Sequence, residues 1–157
     1  MHSHKIECFK AEHPGQDFPA TRTLSAQECT DVRRTLTRNL ALQCGDDGLA
    51  ILKEIQRRST SIGHTDENGA FAPLPAILER HAKGALLLLN WSRFDDIDEI
   101  AASDFVSCFD DIWWPPADES LEVFDASCSW LLAFYHWGDV RLLLPSEYEN
   151  TALLNQH

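Results

Sequence analysis

The stretch from Trp130 to Leu144, WLLAFYHWGDVRLLL, leaves few architectures open to this chain. Side chains of an extended strand point alternately to opposite faces, so Leu131, Ala133, Tyr135 and Trp137 fall on one side. Trp130, Leu132, Phe134 and His136 fall on the other. Both sides are largely apolar, which places the segment inside a sheet with helices over at least one face. Gly138-Asp139 suits a two-residue II′ connection, which sets Trp137 opposite Val140, His136 opposite Arg141 and Tyr135 opposite Leu142. Pro145 stops the second strand.

Upstream, Ala85 to Trp91 (ALLLLNW) is a short continuous apolar run of the kind buried on both faces, and SLEVFD adds another strand. Ser25 to Glu28 (SAQE) has capping-box spacing, followed by an apolar stripe of Cys29, Val32, Leu36 and Leu40. After the breaker CGDDG, Asp46 or Asp47 caps a second helix with Leu49, Leu52 and Ile55, ending near Arg57 and Arg58. Ser59 to Ala72 is polar, contains Asn68-Gly69 and reads as the longest loop. Pro75 opens a third short helix that stops at Gly84. Ser103 caps a helix carrying Phe105, Phe109 and Ile112, closed by Pro115 and Pro116.

Helices first and strands last give an α+β fold, with N-terminal helices packed on a C-terminal antiparallel sheet of about four strands. The expectation is a single domain over residues 1–157. It divides into a loose arm (1–24) with a short strand around Ile6 to Phe9, a helical half (25–84), a sheet half (85–144) and a tail (145–157).

Charge separates the function classes. From Phe94 to Val140 there are twelve acidic residues and no lysine or arginine, so the whole formal charge of −12 resides there. A field of that sign repels nucleic acid and anionic lipid and attracts basic proteins. The longest apolar run, Ala85 to Leu89, is far short of the ~18–20 residues that span a bilayer, and no export signal precedes it. The cytoplasm is the expected compartment. The five cysteines are widely spaced without a C-x-x-C pair, which fits reduced thiols rather than a disulfide or zinc framework.

Phosphate-loop, dinucleotide, zinc-protease and nucleophile-elbow signatures are all missing, so catalysis is less expected than binding. No catalytic residue, metal site or cofactor is assigned. Asp95 to Glu99 lacks the spacing of a calcium loop, and Cys128, His136 and Asp139 have no spacing that favours a nucleophile pair. His2 and His4 belong to a frayed end.

FDDIWWPPADE, residues 109–119, is more informative. Adjacent residues point ~100° apart on a helix and ~180° apart on a strand, so Trp113 and Trp114 cannot both face the core. One plugs it; the other, with Asp110, Asp111, Asp118 and Glu119, forms a surface suited to a basic partner. A packing role or a homodimer contact for that second indole is the competing reading. Another is a ligand pocket between helices and sheet, lined by Tyr135, His136 and Arg141 with the acids near Asp95.

The run from Asp110 to Asp118, then Glu122 to Asp125, Ser129 to Leu132, His136 and Gly138, resembles the C-terminal pattern of small bacterial cytosolic proteins of unassigned function. Those proteins read D-D-[IL]-W-[YW]-P, a strand ending in Phe-Asp, then a Trp-containing strand leading to His-x-Gly. Trp137 stands where that pattern has an acid. In size and acidity the chain is also similar in type to immunity proteins, which occlude the basic active surfaces of toxins. The resemblance implies an acidic cytoplasmic interaction domain, with neutralisation of a basic toxin as its most concrete form. The alternative is a small-molecule or metal-binding domain, in which an enzyme remains open.

Overall fold

Seven strands, rather than about four, form one antiparallel sheet in the computed structural model, which describes residues 1–115 and 117–145. In chain order the elements are α1 (Ser3–Glu12), β1 (Thr21–Thr23), α2 (Ala26–Asn39), α3 (Gly48–Arg58), β2 (Thr60–His64), α4 (Leu74–His81), β3 (Leu86–Ser92), β4 (Asp96–Ala101), α5 (Ala102–Ser107), α6 (Phe109–Ile112), β5 (Ser120–Phe124), β6 (Leu131–Tyr135) and β7 (Asp139–Leu143). The strand order is β1-β4-β3-β5-β6-β7-β2. The α+β class holds, but helices and strands are not segregated along the chain: the two edge strands, β1 and β2, come from the first half.

Helix starts follow local chemistry. Ser25 Oγ accepts from the Glu28 amide at 3.3 Å, and the Glu28 carboxylate accepts from the Ser25 amide at 2.8 Å, which completes the capping box of α2. Asp47 accepts from the Ala50 amide at 2.9 Å and opens α3. Pro75 lies in the first turn of α4, which ends at His81 with Ala82 as its cap rather than at Gly84. The helix expected from Ser103 instead starts at Ala102 without a side-chain cap and breaks at Cys108 into α5 and α6.

Alternation along the central strands divides the core between the two faces. Leu88, Phe124, Leu131, Ala133 and Tyr135 pack under Cys29, Leu36, Ile51 and Ile55 of α2 and α3. Leu87, Leu89, Leu121, Val123, Leu132 and Phe134 pack under Leu74, Leu78, Phe105, Phe109 and Ile112 of α4, α5 and α6. Each such buried aliphatic or aromatic side chain contributes roughly 1.5–3 kcal/mol. Helices therefore cover both faces.

Three further expectations change. The stretch read as a loose arm with a strand at Ile6 to Phe9 is helical over Ser3–Glu12, followed by β1. The polar stretch after Ser59 contributes β2, which pairs with β7. The β6–β7 register is offset by three residues from the two-residue turn: Phe134 faces Val140, Ala133 faces Arg141 and Leu132 faces Leu142. The Gly138 amide donates to the Tyr135 carbonyl at 2.8 Å, and Gly138 takes φ +91°, so His136 and Trp137 form the turn instead of extending the strand. Residues 146–157 of the expected tail, and Pro116, lie outside the described residues.

A candidate cation-binding cleft

The question posed by the adjacent tryptophans has a geometric answer. The Trp113 amide donates to the Phe109 carbonyl at 2.9 Å as α6 ends, which turns its indole inward against Phe134 at 6.2 Å between centroids. Trp113 is 1% exposed and Trp114 is half-buried. Asp118 fixes the bend that follows: its Oδ2 accepts from the Trp114 amide at 2.9 Å, and its own amide donates to the Trp114 carbonyl at 2.9 Å.

Trp113, Trp114 and Pro115 form one wall of a cleft of about 610 Å³. The β2–α4 loop supplies Thr65, Asp66, Glu67 and Asn68, and the β6–β7 turn supplies His136, Trp137 and Gly138. Asp110 also lines it and is shared with a neighbouring hollow of about 430 Å³ reaching Phe71 and Leu74. Among the described residues, no lysine or arginine lines either space. Trp137 is 55% exposed, yet its ring is fixed by stacking on Tyr135 at 4.5 Å and 15°. The Asp66 carboxylate is consumed within its own loop, accepting from the amides of Asn68 and Ala70 at 2.9 Å each. Glu67 and Asp110, both exposed, make no ion pair among the described residues. Gly69, with φ +87°, lets that loop press on the opposite wall, since a Cβ there would stand 2.9 Å from Pro115 Cδ.

The acids expected on one partner surface thus have three fates. Asp110 and Glu119 are exposed, and the Glu119 carbonyl accepts from the His136 amide at 3.1 Å. Asp111 and Asp118 face α1. His13 Nε2 lies 3.1 Å from Asp111 Oδ1, and Lys5 Nζ donates to Asp118 Oδ2 at 2.7 Å and to the Ile112 carbonyl at 2.8 Å. The same lysine, fully buried, lies 4.6 Å from the Trp114 ring and 5.2 Å from the Trp91 ring. His2 and His4 are not frayed: they pack on Trp91 and Trp114, with His2 Nε2 3.1 Å from Asp96 Oδ2.

The residues assigned to a pocket between helices and sheet do not share one. His136 lines the cleft, whereas Tyr135 and Arg141 face α2 and α3, with Arg141 Nε donating to Ser59 Oγ at 3.0 Å and Nη1 to Asp139 at 3.2 Å. The hollow on that side, about 250 Å³ between α2 and the sheet, is lined instead by Arg22, Leu24, Glu28, Glu99 and Cys128, among others. The acids near Asp95 diverge, because β4 sends successive side chains to opposite faces. Asp95 pairs with Arg33, Asp96 with His2 and Glu99 with Arg22, while Asp98 accepts from Thr23 at 2.6 Å and Trp91 at 2.9 Å and meets the Met1 amine. Cys128 is buried, and burial pushes its thiol up to about 12, unsuited to thiolate chemistry. Glu12, His13 and Asp111 bring their ligand atoms within 4.8 Å of one another, a group able to hold a divalent ion.

Sequence reasoning singled out Asp110, Trp113, Trp114 and His136, which do line one cleft. It passed over Thr65 to Asn68 and gave Trp137 no role, because nothing local says that the polar loop folds against the tryptophan turn. No helix among the described residues is long and apolar enough to cross a membrane. The fold and cleft define an α+β domain with an acidic, aromatic recess. No protein-family model, curated protein or solved structure matches the chain.

Proposed function

We propose that this chain is an acidic interaction domain that receives lysine or arginine side chains of a basic protein partner in the cleft between the β2–α4 loop, the wall of Trp113, Trp114 and Pro115, and the β6–β7 turn. The observation that carries the reading is the pairing of rigidly held, accessible indoles, Trp114 and Trp137, with the unpaired carboxylates of Asp110 and Glu67. Indole faces and carboxylates are the two surfaces that recognise guanidinium and ammonium groups. Neutralisation of a basic toxin is the most concrete form of such a role.

A fluorescein-labelled nona-arginine peptide, titrated at low and physiological salt, provides the test. Trp137→Ala should weaken binding by about 2 kcal/mol, roughly thirtyfold, as expected for an aromatic hot spot. Asp110→Asn combined with Glu67→Gln should flatten the salt dependence, because fewer charges remain to be screened. Absence of binding, or binding indifferent to both changes, sinks the proposal.

A second reading has its own support. The cleft volume falls within the ~300–1,000 Å³ of small-molecule sites, so a small cationic ligand is the alternative occupant. A thermal-shift screen with polyamines and divalent metals separates the two, because a ligand of the native state raises Tm by mass action. A shift with a small ligand that Trp137→Ala abolishes, without peptide binding, favours this second reading.

A further inference from the structure

Helix α1 is held to the rest of the chain largely by polar and aromatic contacts. Only Lys5 and Phe9 are buried along its length. Further attachments of the helix and its flanks are the Met1 amine on Asp98, His2 on Asp96 and Trp91, His4 on Trp114, Phe9 on Phe18 and His13 on Asp111. Around Lys5 the surroundings amount to a complete recognition site for one basic side chain. Trp91 and Trp114 supply ring faces, the Ile112 carbonyl and Asp118 supply acceptors, and water is excluded. Trp114 is common to this cage and to the open cleft, so a ligand entering the cleft touches the wall of the cage.

We propose that the Trp91–Trp114–Asp118 cage is the inner half of the partner surface, and that α1 fills it in cis, with Lys5 standing in for a basic residue of the partner. The inference rests on the reading of the cleft as a site for a basic protein segment. Its energetics follow from burial. Asp118 is 13% exposed, and withdrawing Lys5 without replacement leaves a poorly solvated carboxylate with no counter-charge. The cage therefore opens only in exchange for another cation. A segment that first engages Asp110 and Glu67 brings such a cation close to Asp118, and α1 is then released. Binding to the intact protein is weakened by the free energy of releasing α1, which a substitution that loosens α1 reduces.

The experiment uses the full chain and the nona-arginine peptide. Hydrogen exchange of the α1 amides is followed with and without saturating peptide, and peptide affinity is compared between wild type and Lys5→Met, which keeps chain length and removes the charge. Exchange in residues 3–12 should quicken about tenfold or more on peptide binding, and Lys5→Met should bind about tenfold more tightly. If the peptide binds in a manner sensitive to Trp137→Ala while α1 protection is unchanged or increased, this inference is overturned and the cleft reading stands. If the peptide does not bind at all, the cleft reading fails and this inference with it. Should Lys5→Met not fold, exchange in the wild-type chain decides alone.

Discussion

Gly48→Ala is expected to lower folding stability by about 3 kcal/mol or more, at the upper end for overpacking. Gly48 opens α3 where the helix meets the β3–β4 turn, and an added Cβ would lie 1.7 Å from the Arg93 carbonyl oxygen and 2.6 Å from its carbon. Both obstacles are backbone, so no side-chain rotation relieves them. The turn cannot easily retreat. Arg93 and Phe94 already hold φ of 46° and 57°, the Phe94 amide donates to Asn90 Oδ1 at 2.7 Å, and its carbonyl accepts from Arg33 at 3.0 Å. Phe94 itself is fully buried, so moving it opens the core. Gly45→Ala is the control, since a Cβ there meets nothing within 4 Å. Urea midpoints for the two variants should differ widely; a Gly48→Ala protein within ~1 kcal/mol of wild type would show that helix and turn do not meet this closely.

The second large effect concerns Glu122, which lies on β5 inside the core that faces α2 and α3. Its Oε2 accepts from Asn90 Nδ2 at 2.5 Å, while Oε1 finds no partner among the described residues. Burial raises its pKa to about 7, and the Asn90 hydrogen bond offsets part of that rise. In the unfolded chain a glutamic acid titrates near ~4.3, so between these values the native state binds the extra proton. Stability from this group is therefore complete below about pH 4 and declines as pH rises to about 7, by roughly 3 kcal/mol. Glu122→Gln removes the titration. The stability of the variant relative to wild type should accordingly rise by about 3 kcal/mol between pH 4 and pH 8. A difference that stays constant over that range would show that Glu122 is ionised within the fold at little cost.

Glu122 also shows where the sequence was silent. SLEVFD reads as a strand, and it is one, but the match between Glu122 and Asn90 depends on the β3–β5 register, which only the assembled sheet supplies. Features encoded within a few residues were legible: the capping box of α2, the Asp47 cap of α3, the proline start of α4, and the alternation that divides β6 between two cores. Edge strands were not. TRT and TSIGH are mostly polar, because among the described residues each has a single paired flank and few of their side chains are covered. Asp95 to Glu99 reads as a run of acids, since the burial of Asp98 depends on Trp91 of the neighbouring strand and on Thr23 and Met1 from far along the chain. Helix α1 lacks an apolar stripe because most of its partners are carboxylates and indoles far along the chain. In the candidate site, the composition of the tryptophan turn was readable, whereas its apposition to the Thr65–Asn68 loop was not.

The placement of β1 and β2 also governs the order in which the molecule can be completed. They lie on opposite rims of the sheet, yet they bracket one continuous stretch, Thr21 to His64, whose two helices cross the face between them like a strap buckled at both ends. One buckle closes on β4, around residue 100, and the other on β7, around residue 140. During synthesis this stretch leaves the ribosome before either strand it fastens to, and its second fastening does not exist until β7 has emerged. Until then the apolar undersides of α2 and α3 have only part of the sheet to cover, a long-range closure of the kind that slows folding and leaves a nascent chain in need of shelter.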